Sequence, residues 1–315
     1  EGGDYLTAAQ KAIDSAAALA GKSDKPTSEE WTDVILDIGK KQSGIRTGYP
    51  SLDRLMGGLR PGHTTVIAGR TSMGKTSFAL GLAVNATLQK KPVAVFSLEM
   101  TKCDIMRRAC HFLAKVSKAE VLAEASGNGD GSATAAMMDA ADKLSKSGFY
   151  VFDDANSIAK IRERCWEIKR QEGRLDVVMI DYLGLVRPES GRKNGTREQE
   201  VSENSRAVKR LAMDFGSSVL LLSQLNRQTD TRPDPKPVLS DLRESGSVEQ
   251  DADEVILLYR PVVYERSTDE TEAYAFLAKN RDGGVGCVEL LWHGDRFRYV
   301  EPEEEPTQTT LTDDP

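Results

Sequence analysis

Val66-Ile67-Ala68-Gly69-Arg70-Thr71-Ser72-Met73-Gly74-Lys75-Thr76-Ser77-Phe78-Ala79-Leu80 joins an apolar β-type run to a helical pattern through a loop bounded by glycines. Within it, Gly69-x-x-x-x-Gly74-Lys75-Thr76 has the spacing of a phosphate-binding loop, and both flanks have the secondary structure such a loop needs. Glycine lets backbone N–H groups curl round phosphate oxygens, and the following helix presents its positive end to them. The candidate nucleotide-binding residues are therefore Gly69, Arg70, Thr71, Ser72, Met73, Gly74, Lys75, Thr76 and Ser77. Lys75 would reach the outer phosphates, and the Thr76 hydroxyl would ligate Mg²⁺.

Beyond this loop, strands and helices alternate. The spacing predicts a helix over Lys75 to Leu88, a strand over Pro92 to Ser97, and a helix from Lys102 to Lys115. Further strands are predicted at Phe149 to Phe152, Val177 to Asp181 and Val219 to Gln224, with a helix from Ile158 to Gln171. Val255 to Tyr259, Ala273 to Lys279 and Val288 to Trp292 read as the last strands. Val177-Val178-Met179-Ile180 is apolar without alternation, as a parallel strand buried on both faces requires. The expected fold is α/β, a mainly parallel central sheet covered on both sides.

Ligands of such sheets lie outside the carboxyl ends of the strands. Besides the phosphate loop, three strands end there in polar residues: Glu99, a candidate general base; Asp181, a candidate Mg²⁺ ligand; and Gln224, an amide able to sense a γ-phosphate as donor and acceptor. Leu239 to Asp253 reads as too polar for a core element and too patterned for a linker. Lys279 and Arg281 precede the flexible pair Gly283-Gly284. A cation pair at a turn is usually a solvated surface; beside phosphate chemistry it also fits an arginine finger.

The chain has 315 residues, 39% hydrophobic and 29% charged, enough for one large domain or two small ones. Cys103, Cys110, Cys165 and Cys287 form no C-x-x-C pair and have no histidine cluster nearby, so neither a zinc site nor a disulfide framework is expected; Cys103 and Cys110, seven apart in a helical pattern, read as buried thiols. No apolar run is long enough to cross a bilayer and no signal peptide is read, so a reducing, cytoplasmic setting without membrane partners is expected. The formal net charge of −7 excludes a broadly basic nucleic-acid surface, so any such contact falls to local loops. Tyr5 to Ala20 reads as an Ala-rich helix before a polar linker, and the acidic stretch from Glu301 to Pro315 as disordered. The first residue is Glu1, which reads as a fragment or processed form.

Together these residues resemble the ATPase domain of the DnaB-type replicative DNA helicases. The matching stretches run in family order: Thr47 to Asp53 with Gly57-Gly58-Leu59, Ser72 to Thr76, Phe96 to Met100, Ile180 to Leu183, Leu222 to Arg227, Asp241 to Asp253, and Lys279-Asn280-Arg281. The resemblance implies a RecA-like P-loop NTPase fold over residues 45–300, preceded by a linker helix and connecting segment (1–44) and followed by the acidic tail (301–315). It implies ATP and Mg²⁺ as cofactors and a homo-hexamer round single-stranded DNA, with primase and a helicase loader as further partners. Glu99 would be the catalytic base, Lys75 and Thr76 the phosphate and Mg²⁺ residues, Asp181 the Walker B acid and Gln224 the coupling residue. Arg281, with Lys279 beside it, would act on the neighbouring subunit's ATP. Arg243, Glu244 and Gly246 fall where the family's DNA-binding loop lies, and the turn containing Arg192, Lys193 and Asn194 is a second pore-loop candidate.

Two departures stand out. The family's amino-terminal helical collar does not precede the linker helix, so the chain reads as cut from its parent or as carrying something different. Thr71 stands where the family more often has proline, which suggests a divergent bacterial, phage or plasmid branch. The competing readings are a RecA-type recombinase, a circadian-clock-type ATPase, and a low-turnover nucleotide-binding scaffold or loader on DNA. The Asp241-to-Asp253 stretch and the Lys-x-Arg pair speak against the first two, and the presence of Glu99 and Arg281 against the last.

Overall fold

The computed structural model describes residues 26–29, 31–32, 44–181, 184, 186, 197–226, 232–265 and 269–302. The chain divides into two units, Glu1–Gln42 and Ser43–Pro315, and the architecture below is that of the second. The predicted helix Tyr5 to Ala20, the Arg192-Lys193-Asn194 turn and the acidic tail beyond Pro302 lie outside the described residues. The expected disorder does not begin at Glu301, whose carboxylate accepts from the Ser51 N–H at 2.8 Å and the Ser51 hydroxyl at 3.1 Å.

A nine-stranded sheet carries the site, in the order β3-β2-β4-β5-β1-β6-β7-β8-β9. Its strands are β1 (Thr64–Gly69), β2 (Val93–Ser97), β3 (Phe149–Phe152), β4 (Val177–Asp181), β5 (Ser218–Gln224), β6 (Glu254–Tyr259), β7 (Glu272–Asn280), β8 (Gly286–His293) and β9 (Arg298–Val300). The first six are mutually parallel, as predicted, and β7 to β9 extend the sheet as an antiparallel meander. β1 sits between β5 and β6 and is buried at every residue.

Alternate side chains on a strand face opposite ways, and each core layer takes one set. Ile67, Val177 and Met179 join α1 (Pro50–Met56), α2 (Lys75–Leu88) and α3 (Lys102–Ala114) on one side. Helices α4 (Lys118–Ala125) and α5 (Ser132–Ser145), which no periodicity in the sequence announced, follow α3. Val66, Val178 and Ile180 join α6 (Ile158–Glu172), α7 (Arg197–Phe215) and α8 (Gly246–Asp251) on the other side. Helix α2 is apolar nearly all round and buried from Ser77 to Val84, which fixes the helix that starts at the phosphate loop.

Two expectations are corrected. Cys103 is exposed and Cys110 half-buried, because the face α3 buries is set by Ile105, Ala109 and Phe112. The Leu239-to-Asp253 stretch is a core element after all: a 3-10 segment, Leu239–Ser245, runs into α8, and Leu242, Val248 and Ala252 are buried at 1%, 1% and 0% exposure. These three spaced apolar side chains anchor it, and its buried acids Asp241 and Asp253 are paired with Arg232 and Lys209.

Candidate functional site

The phosphate loop leaves β1 at Gly69 and enters α2 at Lys75. Ser72 and Gly74 both take positive φ, 69° and 73°. A Cβ on Gly74 would lie 2.8 Å from Tyr299 Oη and 3.3 Å from a Trp292 ring carbon, so glycine is required there by space as well as by φ. Tyr299, 1% exposed, donates its hydroxyl to the Met73 carbonyl, and Arg260 donates to the Ser72 carbonyl at 3.1 Å while stacking over Trp292. The loop therefore rests on a floor made by the last two strands. The sequence carries no signal of this floor, because its residues lie far along the chain.

Lys75 Nζ donates to the Arg70 carbonyl at 3.1 Å. Burial depresses its pKa despite Asp181 and Glu99 nearby. Thr76 Oγ1 donates to Asp181 Oδ2 at 2.7 Å, and burial, with Glu99 adding to it, raises the pKa of the Asp181 carboxyl against the Thr76 bond and Lys75. Each charge is thus under-compensated by the protein: the ammonium would gain from an anion and the carboxylate from a cation. A hydroxyl and a carboxylate are hard oxygen donors that suit Mg²⁺, which keeps most of its waters and shares phosphate ligands.

Glu99 follows β2 in a turn held by Ser97, whose hydroxyl donates to the Met100 carbonyl at 2.8 Å and accepts from the Met100 N–H at 3.2 Å. The turn leaves Glu99 exposed to solvent. Arg108 on α3, which sequence reading missed, interacts electrostatically with both Asp181 and Glu99; burial lowers its pKa against their pull. Gln224 donates from Nε2 to Thr71 Oγ1 at 3.1 Å, and Arg70 donates to the Leu225 carbonyl at 3.1 Å, so β5 and the phosphate loop are tied together. Proline at position 71 would offer Gln224 no such acceptor. Glu99, Asp181, Gln224 and the loop thus meet at the carboxyl edge of the parallel sheet.

Lys279 and Arg281 do not join them. β7 runs antiparallel, so its end lies beside the start of β6, at the opposite edge of the sheet and roughly 17 Å from the phosphate loop at about 3.3 Å per residue along β1. Arg281 Nη1 donates to Asp253 Oδ1 at 3.1 Å, and Lys279 Nζ donates to the carbonyls of Glu249 and Ala252 at 2.6 and 2.7 Å. Arg243, Glu244 and Gly246 lie on the backbone where the 3-10 segment becomes α8; their side chains fall outside the described residues, as do Arg192, Lys193 and Asn194. Among the described residues no group of three or more His, Cys, Asp or Glu side chains could hold a metal, and no helix is long and apolar enough to cross a membrane.

The profile of the DnaB-like helicase C terminal domain matches residues 44–301. The chain is 39% identical over 262 residues to a protein named replicative DNA helicase DnaB from Pasteurella multocida, covering 82% of this chain and 55% of that one. It is 38% identical over 271 residues to the replicative DNA helicase DnaC of Bacillus subtilis, covering 83% and 57%. The chain therefore spans about half the length of the curated relatives it matches. Among solved structures, one described as an ATPase domain superposes with a TM-score of 0.83 at 33% identity, over 89% of this chain and 100% of that one. A DnaB-like replicative helicase, described with its interactions with primase, superposes with a TM-score of 0.82 at 31% identity, over 95% of this chain and 75% of that one. With its RecA-like sheet, phosphate loop and edge acids in place, the chain belongs to the DnaB-like helicase C-terminal domain family.

Proposed function

We propose that this chain is the ATPase motor of a replicative DNA helicase, acting in a six-membered ring that translocates on single-stranded DNA and unwinds duplex. The observation that carries the reading is the convergence of Lys75, Thr76, Asp181, Glu99 and Gln224 at one sheet edge. Lys75 and the loop amides would hold the ATP phosphates, and Thr76 and Asp181 the Mg²⁺, which when bound neutralises phosphate charge. Glu99 takes the proton of the attacking water, with Arg108 steadying its charge, and Gln224 relays the state of the γ-phosphate through β5. Arg281, remote from its own phosphate loop, serves a neighbour's; Lys279 lies beside it. Arg243, Glu244 and Gly246, with Arg192, Lys193 and Asn194, form the DNA-facing loops. Residues 1–44 supply the linker helix and connecting segment, residues 45–300 the motor, and 301–315 an acidic tail. Primase and a loader are the proposed protein partners of the whole assembly.

The decisive measurement is single-turnover ATP hydrolysis with and without single-stranded DNA, alongside particle mass with an ATP analogue and an oligonucleotide. A six-subunit particle with DNA-stimulated turnover supports a motor, whereas DNA binding with negligible turnover would leave a scaffold or loader. For the shared site, Arg281→Ala and Lys75→Ala are each inactive, and mixing them restores ATPase activity at junctions pairing a wild-type loop with a wild-type finger. If no mixture recovers activity, the site is not shared.

A further inference from the structure

The connection from β5 to β6 joins the two edges of the sheet. At the nucleotide edge, Asn226, two residues beyond Gln224, donates its N–H to the Asp241 carbonyl at 3.0 Å. Asp241 is fixed there by a two-pronged bond from Arg232, at 3.1 and 2.9 Å. From Asp241 the chain passes through the Arg243-to-Gly246 backbone, runs along α8 against the core, and reaches the opposite edge at Asp253. There the Asp253 N–H donates to the Thr64 carbonyl at 3.0 Å.

At that far edge the segment is clasped by the two cations at the end of β7, Lys279 on the strand and Arg281 just past it. Lys279 Nζ donates to the carbonyls of Glu249 and Gln250 in the last turn of α8, at 2.6 and 3.5 Å, and to that of Ala252 just past it at 2.7 Å, where a helix leaves its oxygens unpaired. A bulge makes this possible. Val255 pairs with Lys279 but Ile256 with Leu277, so Ala278 is an extra residue. By strict alternation Lys279 would share the face of Ala275 and Leu277, which packs against α1 to α3; the extra residue resets the alternation and turns Lys279 towards α8. Arg281 is held to the same connection twice, from Nη1 to Asp253 Oδ1 at 3.1 Å and from its N–H to the Asp253 carbonyl at 2.9 Å. Asp253 is itself pinned by Lys209 at 2.6 Å and by the Thr64 N–H at 2.8 Å.

We infer that Lys279 is a positioning residue whose clasp on the end of α8 makes the Arg243-to-Gly246 segment respond to the nucleotide bound by the adjacent subunit, as well as to its own through Gln224 and Asn226. This rests on the reading of Arg281 as a finger that reaches a neighbour's nucleotide. When Arg281 moves to that nucleotide it leaves Asp253, and Lys279, two residues away on the bulged strand, shifts with it. The three carbonyls then lose their shared donor and α8 loosens at its carboxyl end. Coupling of this kind is reciprocal, so DNA held by the segment changes nucleotide affinity at the neighbouring site.

The test is amide hydrogen exchange of residues 247–253 in the assembled protein, with Mg²⁺ and either ADP or a non-hydrolysable ATP analogue. The wild type is expected to exchange at least about fivefold faster with the analogue than with ADP. Lys279→Met, lacking any donor, should exchange fast with both and lose the difference, and Lys279→Gln, which keeps an N–H donor, should regain part of it. Equal exchange with the two nucleotides in wild type overturns the inference without any variant, and so does slow, nucleotide-dependent exchange in Lys279→Met. ATP turnover of Arg281→Ala on the same day tests the underlying reading separately: wild-type turnover removes the finger, while the α8 result shows on its own whether Lys279 clasps the helix.

Discussion

Thr76 and Asp181, 105 residues apart in the chain, share a 2.7 Å hydrogen bond at the mouth of the phosphate loop. The bond joins the first turn of α2 to the end of β4. It sets two oxygen donors side by side where the proposed function puts a nucleotide-bound cation, and Asp181 is 2% exposed, so its charge needs a partner.

Asp181→Asn keeps the hydrogen-bonding shape and removes the charge. Nucleotide affinity should become nearly independent of Mg²⁺ concentration, and turnover should fall at least about 100-fold, a few kcal/mol of lost metal-assisted stabilisation. Titrating Mg²⁺ against a fluorescent nucleotide checks this; an unchanged Mg²⁺ dependence would remove Asp181 from the cation site.

Glu99→Gln should bind nucleotide within about threefold of wild type while turnover drops about 10²–10⁴-fold, the usual worth of a positioned base. The loss should appear in a single-turnover experiment as well as in steady state. Near-wild-type single-turnover hydrolysis would assign the base elsewhere.

Gly74→Ala meets two separate obstacles, φ of 73° and the Tyr299 hydroxyl 2.8 Å from the new Cβ. A loss of about 1–3 kcal/mol is expected from such a strained, crowded position. Gly62→Ala separates the two: its φ is 75° but nothing lies within 4 Å, so only the backbone cost remains. Thermal unfolding of both variants should place Gly74→Ala well below Gly62→Ala. Tyr299→Phe in the Gly74→Ala background should recover part of the gap.

His63 gives the fold a pH dependence. Its pKa is raised above 6.5 chiefly by the 2.8 Å bond to Glu254, against partial burial; Glu254 and Asp253 charge add to the rise and Lys209 opposes it, with Asp282 3.6 Å from the other ring nitrogen. A folded-state pKa above the unfolded one means that the stabilisation is complete below about 6.5 and fades as pH climbs through the folded value. Tm of wild type and His63→Gln should therefore differ most at pH 6 and converge at pH 9. A constant gap across that range would assign His63 a packing role only.

The parallel half of the sheet was legible because its strands carry short apolar runs, and β4 and β5 run out into polar residues, at Asp181 and at Ser223-Gln224. That pattern follows from burial on both faces and from where ligands sit. The phosphate loop was legible for the same reason, its glycines and Lys75-Thr76 being local. Helices α4 and α5 were not, since α4 buries no residue fully and α5 buries only Ala133, Ala140 and Leu144. Lys279 and Arg281 were visible as a pair of cations, yet their placement at the far edge depends on β7 running antiparallel and on one extra residue at Ala278, which no periodicity shows. Arg108 lay hidden because nothing about an arginine on a polar helix face marks it until β2 and β4 are set beside it.

Tyr299 and Trp292 give the floor under the phosphate loop a meaning in time. Every residue of the loop itself has been made by Ser77, yet the hydroxyl that holds the Met73 carbonyl and the ring stacked beneath Arg260 belong to the last strands of the domain. On the ribosome the loop therefore emerges long before its support does. A nascent chain halted anywhere before β9 carries the whole motif without its finished shape, so competence to grip a nucleotide arrives late in synthesis, with the closing strand.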